Sequence, residues 1–393
     1  MNNEDNKVHL NKLIKDIQYW MHLEDSDVIK VLTATKVGHK LSGDPVWLML
    51  IGPSSDGKSE LLRAFTEPLI DLTIDDLTEN TFVSGWKGSA VDQETPHFAE
   101  EIRDKIWFIY DFSILLTKRA ESRSNILSQM RMIYDGKLTK KFGNKITVNV
   151  NTYPNTLIVG STPAIDSTIL EDQLLGTRFM TFRMNNSKTD QQRLSIMEII
   201  DRNEKDMGAM RDALNSLILQ FFSNIDYTPY DTNEQENHNL ATFANFTTIL
   251  RTSVQLDKSK EPMNVADPEG PGRLYKQLKK LYRSLRMIGC DETDATRIIR
   301  KLCMHNITPV RCKILRYLNQ TWSNRPDGYT TSEIAGACLM GKGSTKGNLH
   351  ALTSLGLVEY EEIYDDQQRR MLDNWRCLGF ENFNLLLGGQ EHF

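Results

Sequence analysis

The sequence predicts an α/β core of buried strands and helices, a helical lid, and a C-terminal winged helix-turn-helix module. Three observations predict it. An apolar run over residues 46–51 enters the octet Gly52-Pro53-Ser54-Ser55-Asp56-Gly57-Lys58-Ser59, and a helical pattern follows directly. Two further apolar runs, at 106–110 and 156–159, end in polar residues: Asp111 in one case, Gly160-Ser161-Thr162-Pro163 in the other. The chain then closes on three short helical patterns and two strand-like arms.

Residues 8–40 carry two helical patterns. Leu10, Leu13, Ile14, Ile17 and Trp20 mark the first; Val28, Val31, Leu32 and Val37 mark the second, after a capping Asp25-Ser26-Asp27. Gly43-Asp44-Pro45 turns the chain into the first strand. Residues 66–104 link to the second strand and include a loop at 82–89. Ile126, Leu127, Met130 and Ile133 give an amphipathic helix over 120–134. Asp135-Gly136 is a turn, and residues 137–150 read as a β-hairpin. Ile146, Val148 and Val150 alternate on its second arm, with Phe142-Gly143-Asn144 at or near the tip.

Residues 180–184 read as another strand, and 188–223 as one or two helices. A polar loop is expected at 230–238, a helix at 240–254, and a loop rich in Pro, Gly and acids at 262–272. A basic helix over 273–287 carries cations that fit a solvated face, and another helix covers 293–302. In the last module, helices at 310–318, 330–335 and 344–355 precede arms at 357–361 and 370–372. The expected domains are an N-terminal helical segment (1–40), the core (41–235), the lid (236–307) and the winged helix (308–393).

Composition narrows the class. Apolar content of 39% and charged content of 25% are ordinary for a globular protein. No apolar run approaches the ~18 residues of a membrane span, and the polar, acidic start is not a signal peptide. A cytoplasmic protein without a membrane partner is expected. Cys290, Cys303, Cys312, Cys338 and Cys377 form no C-x-x-C pair, so they read as reduced thiols rather than a zinc site or disulfide frame. The formal charge of −5 gives no global mark of nucleic-acid binding and leaves any DNA contact to one hairpin or channel.

The octet is the G-x-x-x-x-G-K-S phosphate-binding pattern. Gly52 and Gly57 let backbone N–H groups turn inward around phosphate oxygens, and the helix N-terminus adds partial positive charge. Lys58 is placed to reach the β- and γ-phosphates, Ser59 to ligate Mg²⁺, and Glu60 continues the nucleotide-contacting stretch. Asp111, ending a buried strand, is placed to bring a carboxylate beside the same ion. Thr162 ends the next strand, where a polar residue can reach the attacking water. Lys137, Lys140, Lys141 and Lys145 crowd one hairpin. Such lysines serve either as an anti-aggregation device on an edge or as a DNA contact. The winged-helix pattern equally serves DNA or protein, and Glu359, Glu361, Glu362, Asp365 and Asp366 make its wing acidic.

In this order the pieces resemble the AAA+ ATPases, and most closely the MCM-like replicative helicases of phages and mobile genetic elements, over roughly residues 20–360. The resemblance implies an AAA+ P-loop core with a helical lid and a C-terminal winged helix, using ATP and Mg²⁺. It places Lys140 and Lys141 on a hairpin that grips single-stranded or forked DNA in the channel of a ring, hexameric in that family. It sets Thr162 at sensor 1, Arg178 (in Leu174-Leu175-Gly176-Thr177-Arg178-Phe179) as an arginine finger acting in trans, and Arg273 at sensor 2.

Two departures stand out. The family's Asp-Glu-Phe reads here as Tyr110-Asp111-Phe112. Asp111 is then the catalytic acid if the phenylalanines align, or the metal aspartate if the strand ends align, and one acid is missing either way. Glu60 and Glu101 are the possible substitutes. The family's large N-terminal collar and any primase motif are also missing, so a primase or other replication protein would be a separate partner. The expected function is an ATP-dependent DNA helicase or translocase. The alternative is an ATP-switched assembly protein with slow hydrolysis, such as a helicase loader or a transposition or defence regulator.

Overall fold

The computed structural model describes residues 3–23, 25–54, 56–84, 97–166, 178–184, 189–204, 206–260, 262–265, 267–321, 325, 327–365, 370–378 and 386. The loop expected at 82–89 and the segment from Leu174 to Thr177 lie wholly or largely outside these residues, as do Ser55 and Asp366. The chain forms two compact units. The first comprises Met1–Thr232 and Lys276–Ile298, the second Asn233–Tyr275 and Ile299–Phe393.

The first unit is built on a five-stranded sheet in which every pairing is parallel. Its strands are β1 (Trp47–Ile51), β2 (Leu72–Thr73), β3 (Lys105–Ile109), β6 (Asn155–Ser161) and β7 (Phe179–Arg183), in the order β2-β3-β6-β1-β7. β4 (Lys137–Lys141) and β5 (Thr147–Asn151) form the separate hairpin. β1 and β6 are buried at every residue, which explains their continuous apolar character. The sequence reading missed β2, because two residues at a sheet edge carry no periodicity.

Among the described residues the helices of this unit include α1 (Asn3–Trp20), α2 (Asp27–His39), α3 (Lys58–Phe65), α4 (Phe98–Glu101), α5 (Ala120–Tyr134), α6 (Asp190–Glu204) and α7 (Met207–Asn224). Trp47, Trp107, Phe82, Ile126, Leu127 and Leu138 join one core cluster. Trp47 and Trp107 meet edge to face, 5.9 Å between centroids, and both indoles share the Asn155 amide oxygen as acceptor.

β6 passes very close to the end of β3. A Cβ on Gly160 would stand 2.6 Å from the Tyr110 carbonyl oxygen, a backbone atom. Gly160→Ala is therefore expected to lower stability by about 1–3 kcal/mol, read by denaturant unfolding. An unchanged midpoint would show that β3 yields freely.

Helix α9 (Gly272–Met287) starts in the second unit and continues in the first. Its cations are not simply a solvated face. Lys280 is 7% exposed, and its Nζ donates to the carbonyls of Leu41 (3.0 Å) and Gly43 (2.6 Å) in the turn before β1. Burial pulls its pKa down to about 8. Lys276 pairs with Asp44, and Arg283 with Asp231. The sequence pattern missed this because the partners lie far away along the chain.

The second unit contains α8 (Glu234–Arg251), a hairpin of β8 (Val254–Leu256) and β9 (Pro262–Val265), the start of α9, and then α10 (Glu292–His305) from Ile299. It continues with α11 (Pro309–Thr321), β10 (Tyr329–Thr330), α12 (Thr331–Ala337), α13 (Lys342–Ser354), β11 (Val358–Asp365) and β12 (Arg370–Cys377). The last three strands pair antiparallel in the order β10-β12-β11.

Two expectations change here. The polar loop at 230–238 becomes helix from Glu234, because the Asn233 side chain accepts from the Glu236 N–H while the Glu236 carboxylate accepts from the Asn233 N–H, both at 2.8 Å. The loop at 262–272 gives up its first residues to β9, with Pro262 tolerated at a strand's first position.

The β8–β9 hairpin packs on α13. Thr345, Leu349 and Leu352 form one buried face of α13. Gly347 and Ala351 lie roughly on the opposite side of the wheel, yet both are buried, and a Cβ on Gly347 would stand 2.9 Å from Leu256. All five cysteines are free and buried.

Candidate nucleotide site

The sheet places three chain crossings side by side. β6 lies between β3 and β1, so the octet after β1, Asp111 after β3 and Thr162 after β6 leave adjacent strands at their C-terminal ends. This is where parallel α/β sheets bind ligands.

The loop is tied to its neighbours at both shoulders. Gly52 N donates to Ser161 O (3.2 Å), and Met184 N to Ile51 O (2.8 Å). Gly57 takes φ +76° and caps α3, whose first intrahelical bond runs from Leu61 N to Gly57 O (2.9 Å). A side chain at Gly57 would be strained by that φ and would stand 3.0 Å from Met21 Cε. The amides of the first helical turn, at Lys58, Ser59 and Glu60, have no intrahelical acceptor and open toward the loop. Pro53 is half-buried, and Ser54 is exposed at the turn.

Lys58 is buried, 7% exposed, and its Nζ donates to the carbonyls of Gly52 (2.7 Å) and Pro53. Burial lowers its pKa, and attraction to the Asp111 carboxylate opposes that shift. Asp111 is exposed and accepts from Ser113 N (2.9 Å), capping a short 3₁₀ helix, Phe112–Thr117. Ser113 Oγ in turn accepts from Thr162 N (2.9 Å) and lies 3.1 Å from Thr162 Oγ1. Ser113, to which the sequence reading gave no role, thus couples Asp111 to Thr162. A serine two residues after a strand-terminal aspartate was the available signal.

The possible substitute acids are placed otherwise. Glu60 is held by Arg211 through two 2.8 Å bonds and by Arg63 at 2.8 Å; the Arg211 bonds above all lower its pKa. Glu101 ends α4, ahead of the first residue of β3, so it precedes the N-terminal end of the strand whose C-terminal end carries Asp111. Tyr110 points toward the far end of α3, donating to Thr66 Oγ1 (3.2 Å) beneath the Arg63 guanidinium. Among the described residues no group of three metal-ligating side chains occurs. Ser59 and Asp111 offer the hard oxygen donors that suit Mg²⁺ shared with a phosphate chain.

Arg178 sits one residue before β7. Phe179 pairs with Trp47 at the start of β1, so Arg178 lies at the end of the sheet away from the octet. Its guanidinium pairs with Asp135 (2.8 Å) and lies over Tyr134, while its carbonyl accepts from Gln277 (2.7 Å). Arg273 is the second residue of α9 and belongs to the second unit.

The hairpin is sorted by face. Leu138 and Val150 pack inward, as does Lys140, whose Nζ donates to Glu79 O (2.6 Å) near the Phe142 ring. Lys137 and Lys141 stand exposed on the outer face, and Lys145 is exposed in the turn at φ +68°.

Beside the octet lies a cavity of about 170 Å³. Asp56, Gly57 and Glu60 form its wall on the loop side; Trp20, Met21 and His22 come from the end of α1, and α6 and α7 close it.

No protein-family model matches the sequence. No curated protein matches it either. Among solved structures the chain is similar to the Aeropyrum pernix Orc1 protein in complex with DNA, at 11% identity and TM-score 0.28, over 92% of each chain. It is also similar to the NrS-1 C-terminal region in its A-form apo structure, at 11% identity and TM-score 0.24, over 93% of this chain and 74% of that one. Scores this low do not establish a shared fold.

Proposed function

We propose that the chain is a P-loop ATPase of the AAA+ type that works on DNA as a ring, in phage or mobile-element replication. The observation that carries this reading is the convergence of the octet, Asp111 and Thr162 on three adjacent strand ends of a parallel sheet. The loop N–H groups and Lys58 bind the phosphate chain. When bound, Mg²⁺ would be held by Ser59 and Asp111 and would neutralise charge on the phosphates. Thr162, aligned through Ser113, positions the attacking water, and Asp111 is the acid available to orient it. Arg178 completes the site from the next subunit, since in its own chain it lies across the sheet from the loop; engagement requires release from Asp135. Arg273 is assigned the sensor 2 role.

Lys137, Lys141 and Lys145 make the sequence-independent phosphate contacts along single-stranded DNA. Lys140 joins them only by leaving the Glu79 carbonyl. The C-terminal module is read as a winged helix that serves protein contacts. This rests on the hairpin packed over the outer side of α13, and on Lys346, which pairs with Asp373.

Strand displacement on a forked duplex tests the motor reading. ATP-dependent unwinding is expected; ATP binding and ring assembly without unwinding overturns it. One observation favours the second reading, a slow ATP-switched assembly protein: Asp111 stands where two acids would, with Glu60 committed to arginines and Glu101 ahead of the opposite end of β3.

A further inference from the structure

Arg178, the arginine assigned above to the next subunit's site, is held at two points in its own chain. Its side chain is 12% exposed, paired with Asp135 and lying over the Tyr134 ring. Its main chain is held from α9. Gln277 is fully buried there, and its amide nitrogen donates to Arg178 O (2.7 Å) and to Tyr134 Oη (3.0 Å). Tyr134 gives its own proton to Pro45 O (3.1 Å). Both atoms facing the Gln277 amide are therefore acceptors, and only its NH₂ end can meet them.

The two holds differ in kind. The ion pair opens to water through Asp135, which is 53% exposed, and pairs of that sort are weakly held. The amide contact is buried and joins three segments: α9, the end of α5 and the approach to β7. Lys280, about one turn further along α9, fixes the same helix to the turn before β1 through Leu41 O and Gly43 O. An arginine that swings toward another chain lands reproducibly only if its main chain stays in place. We propose that Gln277 is a positioning residue for hydrolysis in the neighbouring subunit: it anchors the Arg178 main chain while the guanidinium leaves Asp135. This rests on the ring reading above. Misplacing a reacting group by about 1 Å can cost about 100-fold in rate, so the anchor has a measurable consequence although Gln277 touches no nucleotide.

The test is DNA-free ATP turnover of Gln277→Leu and Arg178→Ala, each alone and mixed with an excess of Lys58→Ala subunits. Lys58→Ala subunits have a disabled octet and an intact Arg178, so in a mixed ring they supply the arginine to intact octets beside them. Alone, Arg178→Ala is expected to lose at least about 100-fold in kcat and Gln277→Leu at least about 10-fold, with KM for ATP within about 2-fold. Mixing should raise turnover per Gln277→Leu subunit at least about 5-fold, as it does for Arg178→Ala. The same pattern is expected of Gln277→Asn, which withdraws the amide by one methylene and serves where the leucine variant does not assemble. Rescue of Arg178→Ala without rescue of either Gln277 variant overturns the positioning role, because the fault then lies in the variant's own octet. Wild-type turnover in Gln277→Leu overturns it too. If Arg178→Ala is not rescued, or turns over like the wild type, the arginine acting between subunits falls and this inference with it. Lys58-dependent turnover of the wild type then leaves the phosphate site standing.

Discussion

Replacing Lys58 with alanine is expected to lower ATP hydrolysis at least about 100-fold, the scale of losing one preorganised charge stabiliser. The ammonium is held against the carbonyls of Gly52 and Pro53 in a loop whose amides already converge. Removing it leaves the fold's contacts nearly whole, because the loop remains tied to Ser161 and β1 to Met184. The loss should therefore appear in phosphate release rather than in the unfolding midpoint. Hydrolysis at the wild-type rate in Lys58→Ala would remove the octet from the chemistry.

The second large effect concerns DNA. The triple substitution Lys137→Ala, Lys141→Ala, Lys145→Ala should weaken single-strand binding and flatten its salt dependence. Each phosphate contact on a single strand contributes about 0.7 to the slope of log affinity against log salt, so losing three should reduce the slope by about 2. Basal ATPase should persist, since none of these residues lies at the octet. Lys140→Ala alone is expected to act through packing, as its ammonium serves the Glu79 carbonyl and its stem the inward face. An undiminished affinity and slope in the triple variant would return the hairpin lysines to the role of edge protection.

The parallel strands were legible because buried strands are written as consecutive apolar residues, and the octet because its chemistry demands those residues in that spacing. The hairpin was legible from Asp135-Gly136 and from the alternation of Val148 and Val150. Local pattern could not show which lysines face outward. Lys140 shares a face with Leu138, and its acceptor lies about sixty residues earlier. Lys280 read as surface charge although it is buried against the turn before β1. The cavity was invisible for the same reason: the ends of α1 and α6 meet through Asn203 and Trp20, whose separation in sequence is 183 residues. The coupling of Asp111 to Thr162 through Ser113 likewise depends on the strand order, which no local window contains.

The central claim is that Asp111 and the octet form one hydrolytic site. Its most direct test is the steady-state ATPase rate of the wild type and of Asp111→Asn, each with and without single-stranded DNA. Asparagine keeps an oxygen to accept from Ser113 N, so the 3₁₀ cap survives while the charge is lost. The expected result is DNA-stimulated turnover in the wild type that falls by about 100-fold or more in Asp111→Asn. Turnover in Asp111→Asn equal to the wild type would contradict the account, because Glu60 is committed to Arg63 and Arg211 and Glu101 lies before β3 rather than after it.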